Sequence, residues 1–166
     1  MFRDMRRRNC ALSTETAEKI LRDGDFGVLA LSGDDGYPYA VPINYAFADG
    51  KIYFHSTKTG HKLDAMRNND KASFCVVARH DVIAEEFTTY FVSAIAFGRI
   101  KIIEDNDVTE KRRALELLAD KYSASASVEL RDKEIARVNA VSIPVMTIEH
   151  LTGKAARELV RGGEIS

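Results

Sequence analysis

Hydroxyl groups and basic side chains cluster around a glycine in residues 56–62, whose sequence is Ser-Thr-Lys-Thr-Gly-His-Lys. Apolar and polar residues alternate over residues 51–56, and this period of two predicts a strand with one buried face. A short helix is predicted to begin directly after the glycine. Because the open N–H groups and the dipole at a helix start attract anions, the hydroxyls of Ser56 and Thr57 and the charge of Lys62 are candidates for holding a phosphate group.

An ordinary strand-to-helix connection is the alternative interpretation of residues 56–62. In that case the polar side chains simply face water. The segment has neither the G-x-x-x-x-G-K-[ST] spacing of a P-loop nor the G-x-G-x-x-G spacing of a dinucleotide-binding turn. On the residues alone, a phosphate site and a solvent-exposed connection are both open.

His55 and His61 lie six positions apart, across the predicted strand end and helix start. A metal site would need a third ligand at a recognisable spacing, and the sequence offers none, so we expect no metal site. No Ser-His-Asp set or pair of catalytic carboxylates can be assembled either. We therefore expect any chemistry to reside in a bound cofactor. The sequence assigns no catalytic residue, and His55 is the first candidate to test.

The composition limits the partners of the chain. Its 166 residues suit one domain, and its charged residues sum to a formal net charge of −1. Nucleic-acid binding needs a strongly basic surface and is not expected. No apolar run has membrane-spanning length, and Cys10 and Cys75 form no C-x-x-C motif. We expect a soluble, cytoplasmic single domain over residues 1–166, with tails at 1–8 and 156–166.

The elements that would position these residues follow from periodicity and turn signals. Apolar or alternating runs predict six strands, at residues 26–32, 37–47, 51–56, 71–79, 89–103 and 141–150. Helices are predicted at residues 14–23, from 61 onward, 107–122 and 130–138. The early strands follow one another as hairpins, so the sheet should be mainly antiparallel. The predicted fold class is α+β, a small barrel with flanking helices.

Two prolines interrupt the second predicted strand, at Pro38 and Pro42. Proline cannot donate a ladder hydrogen bond, so this strand is expected at a sheet edge or a bulge. The backbone around Val41, Ile43 and Asn44 would then be free to bond something other than a strand. One interpretation is a planar heterocycle lying against the strand, and the other is an edge blunted against aggregation.

Several ordered segments resemble the FMN-binding split-barrel superfamily, which is the superfamily of pyridoxamine 5′-phosphate oxidase. The branch they resemble most is that of the nitroimidazole-resistance proteins. The resemblance covers most of residues 4–155. The segments that carry it are residues 36–45, 50–56, 60–64, 74–77 and 148–154.

This resemblance implies a six-stranded split β-barrel that forms a homodimer, with FMN at the interface. The residues it assigns to the cofactor are Val41, Pro42, Ile43 and Asn44 along the isoalloxazine edge, His55 and Ser56 near the ribityl chain and phosphate, and His61 and Lys62 at the phosphate. The same carry-over loosely implies that the partner subunit adds Ser93, Phe97 and Arg99. Thr57 and Gly60 complete the expected cofactor-binding set.

The activity that the resemblance implies is FMN-dependent oxidoreduction. A nicotinamide donor, NAD(P)H, would reduce the flavin, and a small organic acceptor such as a nitroaromatic compound would reoxidise it. Pyridoxamine phosphate is not the expected substrate, because His61 replaces an arginine of the oxidase and the oxidase's C-terminal arginine motif is absent. The alternative is a flavin- or haem-binding carrier or sensor without efficient turnover. FAD and haem are the alternative cofactors.

Overall fold

The computed structural model describes residues 2–163 and 165, which form one mixed sheet-and-helix structure. The strands are β1 Ala11–Leu12, β2 Phe26–Ser32, β3 Pro38–Asn44, β4 Ala46–Ala48, β5 Lys51–Tyr53, β6 Lys71–Ile83, β7 Thr88–Ile102 and β8 Pro144–Ala155. The helices are α1 Thr14–Asp23, α2 His61–Asn68, α3 Val108–Tyr122, α4 Val128–Ile135 and α5 Arg157–Gly162.

The sheet curls on itself because its two end strands are neighbours in the chain. The strand order is β3-β2-β6-β7-β8-β5-β4, every pair is antiparallel, and β1 adds to β8. In a flat sheet, six strand spacings would separate the end strands by about 29 Å. Only Tyr45 separates β3 from β4, which limits the gap to about 7 Å. The predicted α+β, antiparallel split barrel is therefore confirmed.

The strand count differs from the predicted six for a local reason. The second predicted strand, at residues 37–47, breaks at Tyr45 and contributes to both ends of the sheet order. The buried Tyr45 ring turns inward and contacts Phe74 edge-on, with 4.7 Å between ring centroids. The two-residue strand β1, which pairs with Gly153 and Lys154 of β8, is the other addition.

Helix α3 is hydrogen-bonded to the junction of β3 and β4, where the barrel closes. Its first turn is capped by Asp107, whose carboxylate accepts from the Glu110 N–H at 3.1 Å. At its last residue, the Tyr122 hydroxyl accepts from the Tyr45 N–H at 3.0 Å and lies within hydrogen-bonding reach of the Tyr45 and Asp25 carbonyls. The helix therefore has a fixed position relative to the junction of β3 and β4.

The long antiparallel pair β6–β7 extends past the barrel. Residues 80–87 were expected to be a polar connection, but 80–83 continue β6 and pair with 88–91 of β7. Gly98 marks a bulge in β7, where the register to β8 shifts. A Cβ atom at Gly98 would lie 2.0 Å from the Thr147 carbonyl oxygen, so this crossing requires glycine.

The predicted C-terminal tail, residues 156–166, contains helix α5 instead of unstructured chain. Its Leu159 is buried in the main apolar cluster, and this burial holds the helix against the barrel. Glu164 and Ser166 of that predicted tail, and Met1 of the other, lie outside the described residues. No described helix is both long and apolar enough to cross a membrane.

Candidate cofactor site

Strand β3 occupies an end of the sheet order, as its prolines predicted. Within the described residues it pairs only with β2, where Pro38 lies opposite Ser32 and Pro42 opposite Val28. The side chains alternate along the strand, so Val41 and Ile43 are half-buried, whereas Pro42 and Asn44 are exposed. The outward backbone edge of this strand is therefore available to a ligand.

The end of β5 presents His55 to the outside and Ser56 to the inside. Backbone pairing continues past Tyr53, since Ser56 and Ser142 exchange two hydrogen bonds of 2.9 Å. Extended backbone alternates its side chains, so Phe54 and Ser56 are buried, whereas the His55 ring is partly covered and partly open to solvent. The Ser56 hydroxyl has no hydrogen-bond partner among the described residues, which is costly for a buried polar group.

Thr57 shapes the loop that follows. Its hydroxyl donates to the Thr59 carbonyl at 2.8 Å. A hydroxyl has one proton to donate, so this bond leaves Thr57 without a donor for a phosphate oxygen. The loop then reaches Gly60, which has a φ of +132° and precedes α2. This positive φ is accessible to glycine at little cost.

The start of α2 is open to an anion. The first N–H groups of a helix have no intrahelical partners, and no side chain of the described residues caps α2. Lys62 is half-buried and forms no ion pair within the described part of the chain. A positive charge without a carboxylate partner among the described residues therefore lies at a helix start with open backbone N–H groups. This start of α2, residues 60–62, is called the phosphate cradle below.

His61 is held by contacts from another part of the chain. Its ring stacks on Tyr39 with 4.2 Å between centroids and an angle of 16°. Its Nε2 lies 3.4 Å from an oxygen of Asp34, in the turn before β3. These contacts hold the start of α2 against the turn before β3 and the first residues of that strand.

His55 is electrostatically linked to Lys62. Partial burial is the larger cause and the positive charge of Lys62 the smaller cause of a pKa for His55 below its ordinary value. The imidazole is therefore neutral near pH 7. A neutral ring can both donate and accept a hydrogen bond, which suits it for contacts with a ribityl chain.

The loop before α2 is held in place by a network of charged residues that the sequence did not reveal. Asp105, in the connection between β7 and α3, accepts from Lys58 at 2.5 Å and from Lys111 at 2.9 Å. These two hydrogen bonds lower the pKa of Asp105 to about 2. The Lys111 side chain is completely buried, so Asp105 joins the loop before α2 to a fixed point in α3. No sequence signal connects positions 58, 105 and 111.

A cavity of about 710 Å³ adjoins the same corner. Asn44 and His55 lie at its wall, and helices α3 and α4 form its other sides. The wall residues are mainly apolar. Those that the helices and the following segment contribute are Leu115, Leu118, Ala119, Tyr122, Leu130, Ile135 and Val141.

The outer face of the barrel carries an uncovered apolar stripe. The register places Pro42, Val28, Cys75 and Ile95 side by side across four neighbouring strands. Phe26, two residues from Val28, is 62% exposed. The outer apolar face is defined here as residues 26, 28, 42, 75, 77 and 95.

The three residues assigned loosely to a partner subunit lie on the outward side of β7. Ser93 and Phe97 alternate with buried neighbours along the strand. Phe97 is close to Phe2, with ring centroids 5.5 Å apart. Arg99 is already bound within its own chain, to Asp70 at 2.8 Å and Glu149 at 3.0 Å.

The described residues contain no group of three or more His, Cys, Asp or Glu side chains arranged to hold a metal ion. The residues of this corner can offer anion binding at α2, backbone hydrogen bonding along β3 and contacts from His55.

Comparisons with known proteins agree with this geometry. A sequence profile described as pyridoxamine 5′-phosphate oxidase matches residues 13–155. The chain is also similar to an uncharacterized protein of Rhizobium meliloti (strain 1021), with 40% identity over 62 residues. This match covers 37% of the chain and 40% of that relative's length.

Two solved structures illustrate the similarity in fold. A candidate 5-nitroimidazole antibiotic resistance protein from Bacteroides thetaiotaomicron has a TM-score of 0.72 at 23% identity, over 87% of this chain and 86% of that one. An FAD and haem binding protein from Mycobacterium smegmatis has a TM-score of 0.70 at 25% identity, over 91% of this chain and 78% of that one.

Proposed function

Since the chain belongs to the pyridoxamine 5′-phosphate oxidase family, we propose that it is a flavin-dependent oxidoreductase that binds FMN at the corner between β3, β5 and α2. When bound, the flavin supplies two-electron transfer. The chain's own residues bind it, orient it and exclude water. A small organic acceptor is the substrate, and NAD(P)H is the electron donor.

The observation that carries this proposal is the open charge of Lys62 beside the uncapped start of α2. A phosphate group there would receive charge-assisted hydrogen bonds from the lysine and from backbone N–H groups. Gly60 leaves room for the phosphate, because a Cβ atom at that position would meet nothing within 4 Å. The unpartnered Ser56 hydroxyl is a further polar group that this ligand can satisfy.

The flavin ring would lie along the exposed edge of β3. The peptide groups of Val41 to Asn44 have no second strand to pair with in the described residues, so they can bond the polar edge of the isoalloxazine. His55 lines a cavity together with Asn44 and is influenced by the charge of Lys62, which suits it for contact with the ribityl chain. Donors near the pyrimidine edge would stabilise the negative charge that develops there on reduction.

A homodimer with the cofactor at its interface is the assembly that fits the outer apolar face. A contiguous exposed apolar patch usually marks an interaction site. The face begins at β3, the same strand that would hold the flavin ring. A second copy seated there would cover both the face and the flavin, with Ser93 and Phe97 as its nearest contributions. Arg99 is less suited to that role because its own chain already binds it.

A nitroaromatic acceptor is supported by the similarity to the candidate 5-nitroimidazole resistance protein. A flavin- or haem-binding carrier or sensor is the second candidate function. The observation favouring it is that no catalytic acid or base can be assigned among the described residues of this corner. The similarity to an FAD and haem binding protein also keeps FAD and haem as alternative cofactors.

Absorption spectroscopy of the purified protein, with FMN, FAD and haem each offered to the apoprotein, tests the proposal directly. We expect flavin absorption and saturable FMN uptake, followed by bleaching with NAD(P)H and recovery with a nitroaromatic acceptor. A flavin spectrum that neither reagent changes would favour the carrier. A protein that takes up no flavin would rule out both flavin functions.

A further inference from the structure

The cavity beside Asn44 and His55 is separate from the phosphate cradle but shares its corner. Its other walls come from α3, α4 and the segment that follows them, and no residue of 57–62 lines it. Its volume of about 710 Å³ lies within the range of about 300–1,000 Å³ that small-molecule sites occupy. A ligand of that size class therefore fits the cavity, which meets the proposed flavin site at Asn44 and His55.

The walls are apolar and incompletely covered. Leu118 and Ile135 are buried on facing helices, whereas Leu130 is 50% exposed even though it lines the cavity. Helix α4 buries one side chain of its eight residues, Ile135. An apolar ligand between the helices would cover Leu130 and supply contacts that α4 otherwise lacks.

The charges in the wall are already neutralised. Arg131 is paired with Asp120, and Arg137 binds both oxygens of Glu134 at 3.1 Å. An anionic ligand would have to replace one of these carboxylates and would gain little net charge attraction. An uncharged ring loses nothing by leaving the ion pairs intact, and it can stack on a guanidinium plane or on the ring of Tyr122.

We propose that this cavity binds a flat, uncharged and largely apolar ring compound, and that such compounds are the substrate class of the adjoining flavin site. The binding itself follows from the cavity alone. The assignment of this ligand as a substrate rests on the proposed function, because the cavity meets the flavin site through Asn44 and His55.

A matched pair of probes tests the charge preference. Isothermal titration calorimetry compares naphthalene-2-carboxamide with naphthalene-2-carboxylate, which have nearly the same shape but differ in charge. We expect the amide to bind about tenfold or more tightly than the carboxylate, because a charge buried without a partner is disfavoured. Equal or tighter binding of the carboxylate would overturn the proposal.

Variants in the wall test the location. Ala119→Phe, which fills the cavity from α3, should weaken amide binding about tenfold or more by occupying its volume. Leu130→Glu, at a half-exposed position that tolerates a polar side chain, should weaken it similarly. Glu116→Phe places the same ring on an exposed position of α3 outside the cavity and should leave amide binding unchanged. Unchanged amide binding in both wall variants would overturn the proposal.

Flavin titrations of the same variants separate this inference from the proposed function. FMN affinity should be unchanged in Ala119→Phe, and the amide should shift the absorption band of bound flavin. An amide that binds without that shift would overturn the assignment as substrate class. If FAD binds more tightly than FMN and Ala119→Phe removes only that difference, the cavity holds a nucleotide and the proposal is overturned. Amide binding by a protein that takes up no FMN would contradict the proposed function while supporting the cavity.

Discussion

Lys62 differs from Lys58 and Lys111 because it has no carboxylate partner among the residues that the structure describes. Lys58, four residues earlier, is bound to Asp105 at 2.5 Å. The charge of Lys62 is therefore available to a ligand without breaking an existing ion pair.

Lys62→Ala should weaken FMN binding by about 1.5–3 kcal/mol, the scale of a hydrogen bond to a charged group. Fluorescence titration of the apoprotein measures this change. Lys133→Ala, which removes an exposed lysine from α4, is the matched control and should leave affinity unchanged. The free energy of unfolding in urea should be nearly the same in both variants. An unaltered FMN affinity in Lys62→Ala would remove this residue from the site.

The His55 imidazole should titrate below its ordinary pKa of about 6.5 in the apoprotein, because partial burial and Lys62 both disfavour its charged form. Lys62→Ala should raise this pKa, and a bound phosphate should raise it too. Histidine ring NMR, with His55→Gln to assign the resonance, follows both changes. A pKa of His55 that is insensitive to Lys62 would contradict the predicted proximity of the two side chains.

The same shift has a consequence for stability. A folded-state pKa below the unfolded value means that the unfolded chain binds the proton first as the pH falls. His55 therefore contributes stability above about pH 6.5 that is lost as the pH falls towards the lowered value. In His55→Gln this part of the pH dependence of unfolding should disappear.

At the scale of elements, the loop before α2 and helix α3 are joined through Asp105. The helix start that would bind phosphate thus depends on a residue from the connection between β7 and α3. Helix α3 is itself fixed at the barrel corner by Tyr122. A change in this network should consequently alter FMN affinity at the phosphate cradle.

Asp105→Asn should lower both FMN affinity and stability, because it leaves the buried ammonium of Lys111 without its carboxylate. The wild-type protein should lose stability between about pH 4 and pH 2, since the pKa of Asp105 falls from 3.8 to about 2 on folding. Urea unfolding at several pH values checks this. Asp132→Asn, an exposed carboxylate of α4, is the control. Identical acid profiles for wild type and Asp105→Asn would contradict the assignment.

The bounds of helices and strands were predicted correctly where one face of the element is buried. They were missed where both faces are exposed to solvent. The strand at 26–32 and the helix at 14–23, capped by Ser13, have the predicted bounds because core contact imposes a period on their sequences. Residues 80–83 belong to a two-stranded ribbon whose faces both meet water. Two polar residues, His80 and Asp81, are followed there by two apolar ones, Val82 and Ile83, so the sequence shows no alternation that would predict a strand.

At the scale of the whole molecule, the outer apolar face is a surface that a single chain leaves exposed to solvent. Phe26, Val77 and Ile95 are exposed on neighbouring strands, and no described element covers them. A dimer through this face would also enclose the β3 edge.

Ile95→Glu should convert the proposed dimer to monomers and weaken FMN binding, because each copy would bury a charge without a partner at the centre of the interface. Size-exclusion chromatography with light scattering measures the assembly, and FMN titration measures the site. Val128→Glu, at a 70% exposed position on α4 away from this face, is the control. A dimer that persists in Ile95→Glu would place the interface elsewhere.

Local spacing in the sequence determined the β3 edge, the loop from His55 to Lys62, the capped helices and the fold class, because these depend on neighbours within a few residues. Only the tertiary structure decided that Tyr39 and Asp34 hold His61, that Asp105 joins two lysines, and that α3 and α4 enclose a cavity beside Asn44. Those contacts join residues that lie far apart in the chain. No short-range pattern records which of them will meet once the sheet curls and its end strands close at Tyr45.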